Sequence, residues 1–110
     1  MKYRVRLTGR FKKQYKLCVR RGLDESKFEN VLGILSETGS LPQEYHPHKL
    51  SSDYDGAWEC HIQPDWLLIW KQNDTELILL LVATGSHSDL FGKSGNNCRQ
   101  VVTNLSLMGV

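Results

Sequence analysis

Acid is missing from the start of this chain. No aspartate or glutamate occurs before Asp24, while nine of the fourteen lysines and arginines fall between Lys2 and Arg21. The net charge of +2 therefore hides a basic N-terminal segment and a remainder that is acidic on balance. Two readings fit that asymmetry: the solvated face of a first helix, or a cationic footprint for a polyanion such as RNA or DNA. Cysteine is scarce too. Cys18, Cys60 and Cys98 are odd in number and far apart, which supports neither a disulfide framework nor the paired spacing of a zinc ligand set. No apolar run reaches the ~20 residues of a membrane span. Met1-Lys2-Tyr3-Arg4 lacks the apolar centre of a signal peptide, so a cytoplasmic chain with no membrane partner is expected.

What is present reads as one domain. At 110 residues the chain can build a single core but not two. Tyr3, Val5 and Leu7 alternate with Arg4 and Arg6, which predicts a first strand with a basic outer face. Phe11, Tyr15, Cys18 and Val19 recur at helical spacing, while Lys12, Lys13, Lys16 and Arg20 take the wet face and Gly22 stops the helix. Asp24 is placed to cap a second helix with an apolar stripe of Phe28, Val31, Leu32 and Leu35, closed by Gly39 and Pro42. With so short a connection the two helices form an antiparallel hairpin on the sheet.

Residues 40–56 show no sustained period, and this long loop carries His46-Pro47-His48-Lys49-Leu50. Next comes the stretch around which the chain is organised. From Ala57 to Ile62 the pattern alternates, with Trp58, Cys60 and Ile62 on one face and Ala57, Glu59 and His61 on the other. Pro64 forces a turn at Gln63 to Asp65, and Trp66-Leu67-Leu68-Ile69-Trp70 reads as a strand covered on both faces. Trp66 and Trp70 belong to its core. A polar turn at Gln72 to Thr75 leads to a second apolar run from Leu77 to Ala83, so three antiparallel strands follow one another and the class is α+β. Thr84-Gly85-Ser86-His87 then ends the last strand on a histidine. The tail beyond Gly92 fits a strand, a short helix or no regular structure.

Taken together, His48-Lys49-Leu50, Glu59 to Ile69 and Thr84-Gly85-Ser86-His87-Ser88-Asp89-Leu90-Phe91 resemble the YafQ branch of the RelE-like toxins, in the same order and spacing. The similarity runs from Tyr3 to about Phe91, so residues 1–92 form the expected domain and 93–110 an unassigned tail. It implies a microbial-ribonuclease-like fold, a two-helix hairpin on a mainly antiparallel four-stranded sheet, with no metal and no cofactor. It further implies a type II toxin that enters the ribosomal A site, cuts mRNA there, and is held inactive by an antitoxin. The family's catalytic set falls on His48, His61, Asp65, His87 and Phe91.

Residue chemistry is compatible with that. Metal-free RNA cleavage needs a base for the ribose 2′-hydroxyl proton and an acid for the leaving 5′-oxygen, and imidazole can serve either role near neutral pH. His87 is the expected acid, with base and orienting work shared among His48, His61 and Asp65. Phe91 offers a ring on which a base can stack. Lys12, Lys13, Lys16, Arg20 and Lys49 are the expected RNA contacts. A zinc set drawn from His46, His48, Cys60 and His61 is disfavoured, because Cys60 shares its face with Trp58. The resemblance departs at Trp58 and Ala83, where arginine is typical of the family. Arginines there would meet the scissile phosphate, so a second reading stays open: a protein of this fold that binds antitoxin or ribosome but cuts slowly.

Overall fold

A computed structural model of the chain describes residues 2–51 and 56–91. The expectations for the 93–110 tail, for Cys98 and for the middle of the 40–56 loop lie outside these residues. Strand β1 (Arg4–Leu7) leads to helices α1 (Gly9–Arg20) and α2 (Glu25–Thr38). A single 3₁₀ turn (Gln43–Tyr45), β2 (His48–Lys49), β3 (Trp58–Gln63), β4 (Trp66–Asn73), β5 (Ile78–Gly85) and α3 (His87–Phe91) follow. No helix among them is long and apolar enough to cross a membrane.

The helices start and stop where their side chains dictate. Thr8 Oγ1 accepts from the Phe11 amide at 3.0 Å and donates to the Leu81 carbonyl at 3.0 Å, so the α1 cap is also a tie to β5. Asp24 accepts from the Ser26 amide at 2.9 Å and opens α2. Gly39 ends α2 in the left-handed region at φ 78°. A β-carbon there would fall 2.5 Å from the Tyr3 hydroxyl, so backbone and packing both require glycine.

The sheet has the order β1-β5-β4-β3-β2, with β1 parallel to β5 and the other pairs antiparallel. It has five strands rather than four, because His48 and Lys49 leave the loop long enough to pair with Glu59 and Trp58. Two residues of pairing carry no periodic signal. One face of the sheet is covered by α1 and α2, where Phe11, Cys18, Phe28, Val31, Leu35, Cys60, Ile62, Trp66, Leu68, Trp70, Leu79 and Leu81 form the main core. Removing each large apolar side chain from water contributes about 1.5–3 kcal/mol. Trp66 and Trp70 are core residues as expected, and the Trp66 indole N–H is satisfied by Thr84 Oγ1 at 2.9 Å. Leu7 departs from its expected place at 44% exposure. It sits near the end of an edge strand, and α1 packs chiefly on β5 beside it.

The opposite face holds a smaller cluster of Ala57, Leu67, Ile69, Ala83 and Leu90, and α3 lies against it. One irregularity decides what this face presents. Strict alternation would keep Leu79, Leu81 and Ala83 together, but the pairing jumps from Ile69–Ala83 to Trp70–Leu81 and leaves Val82 as an extra residue. This bulge transfers Ala83 and Gly85 to the face that carries α3.

Candidate active site

The second face gathers most of the expected residues. His48 on β2 stands directly opposite Glu59 on β3, and its Nε2 lies 3.1 Å from Glu59 Oε1. Its Nδ1 is 2.9 Å from the His46 carbonyl. Both ring nitrogens therefore stand within hydrogen-bond distance of an oxygen. Glu59 is 4% exposed, and its second oxygen is buried with no hydrogen-bond partner. Burial pushes the Glu59 carboxyl above its ordinary pKa, against the pull of His48 and His87. Glu59 was absent from the expected site. Its signal was available: a charged residue on the same face of an alternating strand as His61.

His61 is the next inward-facing residue on β3, with its ring 5.5 Å from that of His46. Burial, then the nearby His46, His48 and His87, depress its pKa below the ordinary imidazole value. An imidazole so placed stays neutral, as a proton acceptor must. A concavity of about 530 Å³ opens beside it, between Tyr45, His46, His61 and Gln63. Asp65, in the β3–β4 turn, uses Oδ1 to accept from the His87 amide at 3.3 Å. That contact docks the start of α3 onto the hairpin. The His87 and Phe91 rings lie 5.4 Å apart, one helical turn from each other.

Other expected residues fall elsewhere. Lys49 points to the helix-covered side, its Nζ 5.8 Å from the Trp58 ring centre. Trp58 is on that side too, stacked on Trp70 at 6.3 Å. An arginine at position 58 would therefore project away from the histidines. Position 83 is different. Register places His48, Glu59, Ile69 and Ala83 in one row across four strands, so Ala83 shares the site's face. Ala83 is fully buried. Lys71 follows Ile69 onto this face and is exposed. Lys12, Lys13, Lys16 and Arg20 are all exposed on α1, which lies on the other side of the sheet.

Cys60 faces the main core, and burial, with Glu59 next to it, pushes its thiol up to about 12. It is neither a nucleophile nor a ligand on the histidine face. Among the described residues, no group of three His, Cys, Asp or Glu side chains is arranged to hold a metal ion.

Residues 3–92 match the family model of the bacterial toxin of type II toxin–antitoxin systems, YafQ. The chain belongs to the YafQ toxin family. It is 36% identical over 89 residues to the mRNA interferase toxin YafQ of Escherichia coli BL21-DE3, covering 80% of this chain and 95% of that protein. The fold is that of YafQ as well. The E. coli DinJ–YafQ complex contains a chain similar at a TM-score of 0.73 and 34% identity, over 82% of this chain and 99% of that one. A metal-bound toxin from Helicobacter pylori is similar at a TM-score of 0.74 and 34% identity, over 83% and 100%.

Proposed function

We propose that this YafQ-family chain is an mRNA endoribonuclease that acts in the ribosomal A site and is silenced by a cognate antitoxin. Work on the ribosome makes it a cytoplasmic protein. The observation that carries the reading is the convergence of His48, His61 and His87 on one sheet face, with Glu59 beneath and Asp65 beside them. The names of the relatives support it: an mRNA interferase, and a toxin solved together with DinJ.

In the proposed chemistry His61, kept neutral by its surroundings, takes the proton from the ribose 2′-hydroxyl. The resulting alkoxide attacks the adjacent phosphorus, and His87 protonates the departing 5′-oxygen. His48 is held beside these two histidines by Glu59 and the His46 carbonyl. Asp65 sets the position of His87, and Phe91 stacks on a neighbouring base.

Single-turnover cleavage of mRNA on programmed ribosomes tests this. His87→Ala is expected to lower the rate by roughly two to four orders of magnitude with ribosome affinity nearly unchanged. A His87→Ala protein as fast as the parent would remove His87 from the mechanism. A second reading, binding without efficient cleavage, is favoured by Ala83: in the row that holds His48 and Glu59, the place for a guanidinium is filled by buried apolar side chains. A parent protein that binds ribosomes yet cuts no faster than ribosome-bound mRNA does without it would establish that reading instead.

A further inference from the structure

We infer that Asp89, backed by Arg21, is a positioning residue for His87. It builds and anchors the turn that aims the imidazole, and takes no proton itself. This rests on the reading of His87 as general acid. Helix α3 has five residues, too few to hold a shape without outside support.

Asp89 supplies that support in two ways. Its Oδ2 accepts from the Ser86 amide at 2.9 Å, while its own amide donates to Ser86 Oγ at 3.1 Å. This reciprocal cap encloses His87, the residue that follows Ser86. The same Oδ2 accepts from Arg21 Nη1 at 2.7 Å, 68 residues away in sequence. Arg21 is the residue that closes α1. A second tether runs alongside, because Gln14 on α1 accepts from the Thr84 amide at 3.0 Å. Helix α1 thus holds Thr84 at the end of β5 and Asp89 in α3, on either side of Gly85.

Gly85 shows how closely Asp89 must approach. At φ 154°, a β-carbon on Gly85 would lie 2.9 Å from the Asp89 β-carbon. Partial burial works against the Asp89 charge, yet the donors on Arg21 and Ser86 outweigh it and hold the carboxyl below its ordinary pKa. The group is therefore a carboxylate at neutral pH, able to accept from both partners at once. With Asp65 holding the His87 amide from the other side, the acid is clamped between the β3–β4 turn and the end of α1.

The test uses single-turnover cleavage at saturating ribosome, so that any effect of Arg21 on affinity drops out. Asp89→Ala removes both the cap and the ion pair and is expected to slow cleavage by about 10- to 100-fold, the loss that follows from misplacing a reacting group by around an ångström. Asp89→Asn keeps an acceptor for Ser86 and is expected to recover to within about threefold of the parent; Arg21→Gln should match it. In a His87→Ala background, Asp89→Ala should have no further effect, because there is no imidazole left to aim. Circular dichroism and a urea midpoint confirm that each variant is folded. Asp89→Ala at the parental rate would overturn the inference, as would an equal loss in the presence and absence of His87. If His87→Ala itself cuts like the parent, the general-acid reading falls, and the inference with it.

Discussion

Glu59 is the side chain that costs the fold and serves the site. Its carboxyl is buried, one oxygen is unpartnered, and its companion His48 is exposed enough to be solvated alone. Glu59→Leu should therefore leave the protein as stable or raise its stability by about 1–3 kcal/mol, the cost of an unsatisfied buried polar group, while releasing His48 and slowing cleavage up to about 100-fold. A urea midpoint and a single-turnover rate separate the two effects; a rate unchanged in Glu59→Leu would deny Glu59 any hold on His48. His61 makes a pH prediction. Its pKa lies below the ordinary value of ~6.5, so the ring stays a competent base as the solution turns mildly acidic. On the acidic side the rate should fall only when pH drops through that lowered value. An acidic limb of the rate profile above ~6.5, or one unmoved in His61→Ala, would assign the base to another group. That His48, His61, Asp65, His87 and Phe91 could be singled out from the sequence follows from the short motifs in which they sit; the structure brings them near one another, and their roles belong to the proposal. Asp89 and Arg21 could not be, since their meeting depends on where α1 ends relative to β5, a relation 68 residues long.

At the scale of the element, the caps carry more than helix ends. Thr8 joins β1 to α1 and donates to the Leu81 and Val82 carbonyls at 3.0 and 3.2 Å, beside the β5 bulge. Thr8→Ala should destabilise the protein by about 1–2 kcal/mol through the lost cap and lost donor, while Thr8→Ser, which keeps the oxygen, should recover most of it. Equal urea midpoints for the alanine variant and the parent would show that the cap is dispensable. Both helices, the hairpin turn at Pro64 and the run of three antiparallel strands were readable, because capping residues and hydrophobic period are local signals. The bulge at Val82 was not. Within Leu77 to Ala83 every residue is apolar, so no alternation exists from which a slip could be detected, and only pairing with β4 reveals that Ala83 changes face. The short β2 strand escaped for a related reason: His48 and Lys49 are polar at an edge, and only pairing with β3 makes them a strand.

For the molecule as a whole, charge and chemistry lie on different layers. The histidines occupy the sheet face that carries α3, whereas Lys12, Lys13, Lys16 and Arg20 are exposed on α1, across the sheet. The end of α1 reaches α3 through Arg21, but Lys12, Lys13 and Lys16 are exposed on a helix packed against the other sheet face, which places them for a second stretch of polyanion. Ribosomal RNA around the A site supplies one in the proposed function, and the chain would then sit between rRNA and mRNA. Each lysine that meets a phosphate releases counterions, and its loss should make the salt dependence of ribosome binding shallower by about one unit of slope. Replacing Lys12, Lys13 and Lys16 together with glutamine should therefore weaken binding and flatten the slope by about 2–3 units, with the single-turnover rate on saturating ribosome unchanged. Surface substitutions of this kind leave stability nearly untouched, so the change belongs to binding. If the triple variant binds with parental affinity and slope, the basic face of α1 is only a solvated helix surface. If the slope is unchanged but the saturated rate falls, those lysines act at the scissile strand, which the placement of α1 opposite the histidines argues against.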